Sequence, residues 1–355
     1  MAHIVSLVHD GIMPPFPRKA ECHEIRLVGR GRGRWVTWNA DLRACTWLTS
    51  LDLYEVAITM FAITPATALR KLQCVKCSTL ETIAGENAEL DICVSQCPAF
   101  QHMPNVANDV EVESCEMLQI AKIARYNNLW IGMRVSAKTT GSANRVHMET
   151  CSVTLAVRQV RTLRLDNSNV ESIRFSHPTE LETFIAECNL TSWPGNVFFY
   201  SLTKLVLRAP TLESLPEDFA LLVPQLRSLT LTGIPKLPVL PNMPLSLEEL
   251  TYDGRLALAL PENLGDLRLL RRLQFRAARV LPYSIGNLQS LQILRGDTVG
   301  DLPLSVAFLP PCATIEVAVR SRNVHINRIW RRRAWNRMRE LKNVLLHSHE
   351  HKICY

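Results

Sequence analysis

The sequence predicts a repeat solenoid of α/β type, and three observations predict it. LPENLGDLRLLRRLQF (260–275) is echoed 21 positions later by LPYSIGNLQSLQIL (281–294). One apolar pattern, Φ-x-x-Φ-x-Φ, recurs with nearly constant spacing from 160 to 312. Beyond 320 the apolar period changes from that of a strand to that of a helix.

Residues 1–21 stand apart from the repeats. MAHIVSLVHDGIMPPFPRKA has no basic start, His9 and Asp10 interrupt its apolar run, and three prolines follow, so no secretory signal is expected. No stretch approaches the roughly 20 apolar residues of a membrane-spanning helix. The 11 cysteines are an odd number scattered singly, which fits reduced thiols in a cytoplasmic compartment.

Residues 22–154 carry a degenerate form of the pattern. Cys22/Ile25/Leu27, Leu48/Leu51/Leu53 and Leu69/Leu72/Cys74 fit it well. Asn87/Leu90/Ile92, Ala107/Val110/Val112 and Tyr126/Leu129/Ile131 fit it at shorter steps. The register is lost between 132 and 159, although SVTLAV (152–157) is strand-like.

Residues 155–320 are regular. Units start at 160, 181, 202, 226, 247, 270, 291 and 312, with steps of 21, 21, 24, 21, 23, 21 and 21. Strand side chains alternate between faces, so the second and third Φ of each unit enter a core while the residues between them face outward. One unit cannot bury its own apolar face; stacked neighbours can. About 14 units are expected over 22–320, from a repeat of roughly 20 to 29 residues.

Residues 321–355 read as a basic amphipathic helix. Ile326, Trp330, Ala334, Met338, Leu341 and Leu345 recur at helical spacing, and arginines occupy the remaining faces. The expected role is a C-terminal helical cap docked through Trp330, Met338, Leu341 and Leu345, because an open solenoid end exposes core and strand edge. The tail also has the composition of a site for an acidic partner or membrane surface, and Arg331–Arg333 that of a nuclear import signal.

The repeated unit resembles the leucine-rich repeat superfamily, whose units join a short L-x-x-L-x-L strand to a looser return segment. LPEDF (215–219), LPENLGDL (260–267), LPYSIGNL (281–288) and LPLSV (302–306) are similar to the returns of plant-type and Ras-group repeats. LPVLPNMPLSLEEL (237–250) is similar to the shorter repeats of bacterial effectors. The resemblance implies a horseshoe with a concave parallel sheet. It departs from the family at the ladder place three residues after the last Φ. That place holds Cys77, Ser95, Cys115, Ser168 and Asn189 early, but Pro210, Ile234, Arg255, Ala278 and Val299 later.

Candidate chemistry is sparse. Cys74-x-x-Cys77 with Cys93 and Cys97 approaches a four-cysteine zinc spacing, but the repeat register accounts for Cys74 as core and Cys77 as a ladder residue, so no metal or other cofactor is expected. No cysteine is followed two places on by Asp, as the ligase domains of repeat effectors require, and neither a phosphate-binding loop nor H-E-x-x-H is present. GRGRGRW (29–35) alternates glycine with arginine and reads as a solvated loop, and HSHEH (347–351) as a polar chain end. The net charge of +7 lies entirely in 321–355, which leaves 1–320 neutral and gives no ground for expecting nucleic acid as a partner.

The function expected is that of a non-enzymatic interaction module or signalling scaffold, acting in the cytoplasm and holding a protein on its concave face. The register names the outward places: Arg164, Asp166, Lys204, Arg208, Glu249, Asp253, Arg272, Arg276, Arg295 and Asp297, with Thr183 and Glu187, and Asp52, Tyr54, Glu111, Glu113 and Trp130 in the degenerate half. Two other classes fit the same repeats: a secreted effector or ubiquitin-ligase substrate receptor, and a fragment of a receptor-type resistance protein.

Overall fold

In the computed structural model the Φ-x-x-Φ-x-Φ stretches are strands that stack side by side in parallel. The structure describes residues 4–9, 23–29, 46–63, 68–121, 124–132, 142–149, 152–157, 159–176, 178–195, 197–234, 237, 240–298, 303–310, 312–319, 343–348 and 352–354. The chain forms two compact units, Met1–His177 and Pro178–Tyr355.

In the first unit Ile4–His9, Glu24–Gly29, Ser50–Tyr54, Lys71–Val75, Asp91–Ser95, Val106–Glu113, Arg125–Ile131, Ser142–Glu149 and Gln159–Asp166 pair successively, each parallel to the next. One core row runs Ile25, Leu51, Leu72, Ile92, Val110, Leu129, Val146 and Leu163. The next runs Leu27, Leu53, Cys74, Val94, Val112, Ile131, Met148 and Leu165. All sixteen side chains are buried. Two corrections follow. The unit read as Asn87/Leu90/Ile92 places Ile92 and Val94, not Leu90 and Ile92, against Leu72 and Cys74. The segment where register was lost holds a full unit, Ala143/Val146/Met148. SVTLAV lies off this ladder: Ser152–Val157 pairs with Asn169–Phe175.

In the second unit Thr183–Glu187, Lys204–Arg208, Ser228–Thr232, Glu249–Ala259, Arg272–Val280, Ile293–Thr298 and Thr314–Val319 continue in the expected register. Phe184, Leu205, Leu229, Leu250, Leu273, Leu294 and Ile315 form one row. Gly296 takes the place of a core side chain, and the Phe275 ring fills it: a Cβ on Gly296 would lie 2.6 Å from Phe275 Cδ2.

The sequence predicted a helix over 326–345. The structure instead has Asn343–Ser348 as a strand, parallel to Thr314–Val319, and Lys352–Cys354 turns back antiparallel on it. A further strand gives the backbone groups of Thr314–Val319 hydrogen-bond partners, which a docked helix face does not. Residues 320–342, with Trp330, Met338 and Leu341, lie outside the described residues, as do 30–45 and most of HSHEH.

The return segments explain the two spacings. From Leu72 to Leu163 the core row advances by 17 to 20 residues; from Phe184 to Ile315 it advances by 21 to 24. Returns in the first unit include three-residue strands, Met60–Ala62 and Thr82–Ala84, which pair with each other. Returns in the second include five-residue 3-10 turns, Glu262–Asp266, Tyr283–Asn287 and Leu304–Phe308. Three extended residues at about 3.3 Å each cover the same ~10 Å as five 3-10 residues at about 2.0 Å. Pro261, Pro282 and Pro303 open these turns at φ −69°, −64° and −68°, the value the ring imposes. Gly265 and Gly286 are required because successive turns touch: a Cβ on Gly286 would lie 2.9 Å from Ser305 Cβ, and one on Gly265 would lie 2.5 Å from Ser284 Cβ.

Strand ends repeat a backbone device. Glu55, Lys76, Gln96, Ser114 and Asn167 each sit two residues past the last core residue of their strand, at φ between 48° and 55°. The N–H groups of Glu55, Lys76 and Gln96 donate to the last carbonyl of the next strand, at 2.9, 2.9 and 3.0 Å. One residue further on is the ladder place, where Cys77 and Cys115 stand as expected. Cys97, not Ser95, occupies it between them. The thiols donate back toward backbone carbonyls: Cys77 to Val75, Cys97 to Ser95 and Cys115 to Glu113, at 3.6, 3.3 and 3.3 Å. Ser168 does the same to Asp166 at 3.0 Å.

Candidate open-face sites

The outward places flank each core row on the open side of the sheet, and in each unit they enclose a shallow cleft. The cleft in the second unit, about 530 Å³, brings together four of the residues named from sequence: Asp253, Arg276, Arg295 and Asp297, with Glu316, Gln274 and Tyr252. Their charges are matched across strands. Arg276 lies 3.6 Å from Asp253, Arg272 3.8 Å from Glu249, Arg208 3.9 Å from Glu187, and Arg295 Nε donates to Glu316 at 2.6 Å. That bond raises the Arg295 pKa further. Such exposed pairs are screened by solvent and open at little cost, so they leave the arginines available to a partner. Lys204 and Arg208 stand exposed at opposite ends of their strand. Tyr252 sends its hydroxyl into the core, where it has no hydrogen-bond partner among the described residues; burial, then Asp253, raises its pKa.

The cleft in the first unit, about 490 Å³, is lined by Glu111, Trp130, His147, Cys93, Asp109 and Arg145 among others. Cys93, Glu111, Trp130, His147 and Arg164 follow one another across five strands as a single outward row. Arg164 Nε donates to Asp166 Oδ2 at 2.6 Å, and His147 Nε2 shares that oxygen at 3.0 Å. Asp166 Oδ1 is buried without a hydrogen-bond partner among the described residues. The Trp130 ring lies over Gly132, where a Cβ would be 2.6 Å from Cζ3, and meets His147 edge-on at 6.3 Å. Burial, and then the Glu111 carboxylate, push the Cys93 thiol up to about 11. Tyr54 belongs to the same face and accepts a 2.8 Å hydrogen bond from Lys76, whose ammonium lies 5.2 Å from the ring centre.

Sequence reading named Glu111, Trp130, Arg164 and Asp166 but missed Arg145 and His147, which lie in the strand whose register was lost. The signal was present: Ala143-x-x-Val146-x-Met148 fits the pattern and sits 17 residues after Tyr126. The cysteines do not converge as a zinc site would. Cys74 is in the core, while Cys93 faces the open side of the sheet.

Parallel units in continuous register, with thiols at the ladder place bonded to backbone, decide the architecture. This is the leucine-rich-repeat fold. No family model and no curated protein matches the chain. Among solved structures the repeat is similar to the crystal structure of PEPR1–AtPEP1, at 13% identity over 96% of this chain and 51% of that one, with a TM-score of 0.39. It is also similar to a leucine-rich-repeat protein of Leptospira interrogans, at 12% identity over 92% and 90%, with a TM-score of 0.33. The chain spans about half the length of the PEPR1 chain it matches. The repeat register carries the assignment rather than these likenesses.

Proposed function

We propose that the protein is a non-catalytic interaction module that holds a protein partner on the open face of its sheet. One observation carries this reading: side chains at fixed outward places are set in register by the strands, and they line a cleft within each unit. A rigid ladder presents such side chains at little entropic cost on binding. Arg164, Asp166, Lys204, Arg208, Glu249, Asp253, Arg272, Arg276, Arg295 and Asp297 are proposed contacts, joined by Trp130 and His147. Buried free thiols at Cys74, Cys77, Cys97 and Cys115 suit a reducing, cytoplasmic setting.

A photo-crosslinking amino acid placed at Tyr54 or Thr251, on the open face, tests the reading against placement at Tyr283, which is exposed on a return turn. Crosslinked partner from the open-face positions alone is expected. Crosslinking from Tyr283 alone would move the binding surface to the returns.

A further inference from the structure

We propose that the first unit's open face takes a cationic segment of a protein partner, with an arginine side chain seated between Trp130 and Glu111. This rests on the interaction-module reading and assigns the partner's chemistry to one of its two clefts.

The argument starts from charge. Among the described residues, the outward places of the first unit hold eight carboxylates against four Lys/Arg. The corresponding places of the second unit hold five of each and join four arginines to four carboxylates across strands. The cleft itself is lined by Asp91, Asp109 and Glu111 against Lys71 and Arg145, and Glu113 adds a fourth carboxylate further along the strand of Asp109 and Glu111. Some of it is already bound within the sheet: Asn108 donates to Asp91 at 2.7 Å, Asn128 to Asp109 at 2.8 Å and Ser95 to Glu113 at 3.4 Å.

The shape adds an aromatic platform to that charge. Trp130 is half-buried and lines the cleft beside Glu111 on the neighbouring strand. Gly132 underneath and His147 at its edge fix the ring. A planar guanidinium stacks on an indole and donates in a fork to a carboxylate, which an ammonium does less well. The same field repels phosphate, so nucleic acid is the wrong occupant.

The test uses fluorescein-labelled nona-arginine, nona-lysine and nona-glutamate, with binding to the full chain read by anisotropy at low salt. Nona-arginine is expected to bind at least about tenfold more tightly than nona-glutamate, and more tightly than nona-lysine. Trp130→Ala and Glu111→Gln are each expected to weaken nona-arginine by roughly fivefold, with Trp130→Phe restoring part of it. Glu217→Gln, exposed on a return of the second unit, should change nothing. Equal weakening by Glu217→Gln, or no weakening by Glu111→Gln and Trp130→Ala alike, overturns the site. Crosslinking at Thr251 together with no nona-arginine binding would sink this proposal and leave the interaction module standing.

Discussion

At the residue scale, the chain is governed by places rather than by residue types. Gly286 and Gly132 serve as voids for a neighbouring turn and a neighbouring indole, not as flexible hinges. Filling one should therefore cost about what overpacking costs. Gly286→Ala is expected to lower stability by roughly 1–3 kcal/mol in denaturant unfolding. Cys93 offers a pH readout. Its thiol is raised to about 11 from an unfolded value of 9.0, so the neutral form is the one the fold favours. The associated stability is complete below pH 9 and is lost as pH rises toward 11. Alkylation of Cys93, followed by mass spectrometry, should accordingly stay slow at pH 8–9 and accelerate only near pH 11. Fast modification at pH 8 would mean the thiol is neither buried nor under the Glu111 field.

At the scale of the element, each strand contributes two core residues, and each return sets the spacing to the next strand. Leu229 is fully buried between Leu205 and Leu250. Leu229→Ala is expected to cost about 2–5 kcal/mol, measured by chemical denaturation. The strand Asn343–Ser348 covers the edge of Thr314–Val319. Deleting 343–355 should lower the melting temperature by several degrees and promote association through the exposed edge. Unchanged melting with a monodisperse product would show that this strand does not protect the edge. The second unit was legible in the sequence because four of its six steps are 21 residues and its core places are filled mostly by leucine. The first was legible only in part. Its units shorten to 17–20 residues, and Leu90, Ile92 and Val94 alternate without a break, so the sequence admits two registers two residues apart that bury the same face. Only the backbone pairing chooses Ile92 and Val94. The helical period around 326–345 was a real pattern, but its last turn was claimed by strand pairing, which sequence periodicity does not weigh.

At the scale of the whole molecule, the chain is two stacks of in-register strands whose open faces differ in charge: one acidic with an aromatic platform, one balanced by cross-strand pairs. Sequence reading located the outward places, since these follow from strand alternation. It did not find how they are paired, because ion pairs such as Arg295 with Glu316 depend on which strands are neighbours. Both proposed binding surfaces depend on that register. A cysteine pair at Thr230 and Thr251 tests it most directly, because these outward residues are Cα partners on adjacent parallel strands. With the double substitution Thr230→Cys/Thr251→Cys, mild oxidation should give a disulfide between the two introduced thiols, identifiable by peptide mapping, while Thr230→Cys/Asp253→Cys should stay open. Closure of the second pair instead of the first, or of neither, would contradict the register and the site assignments built on it.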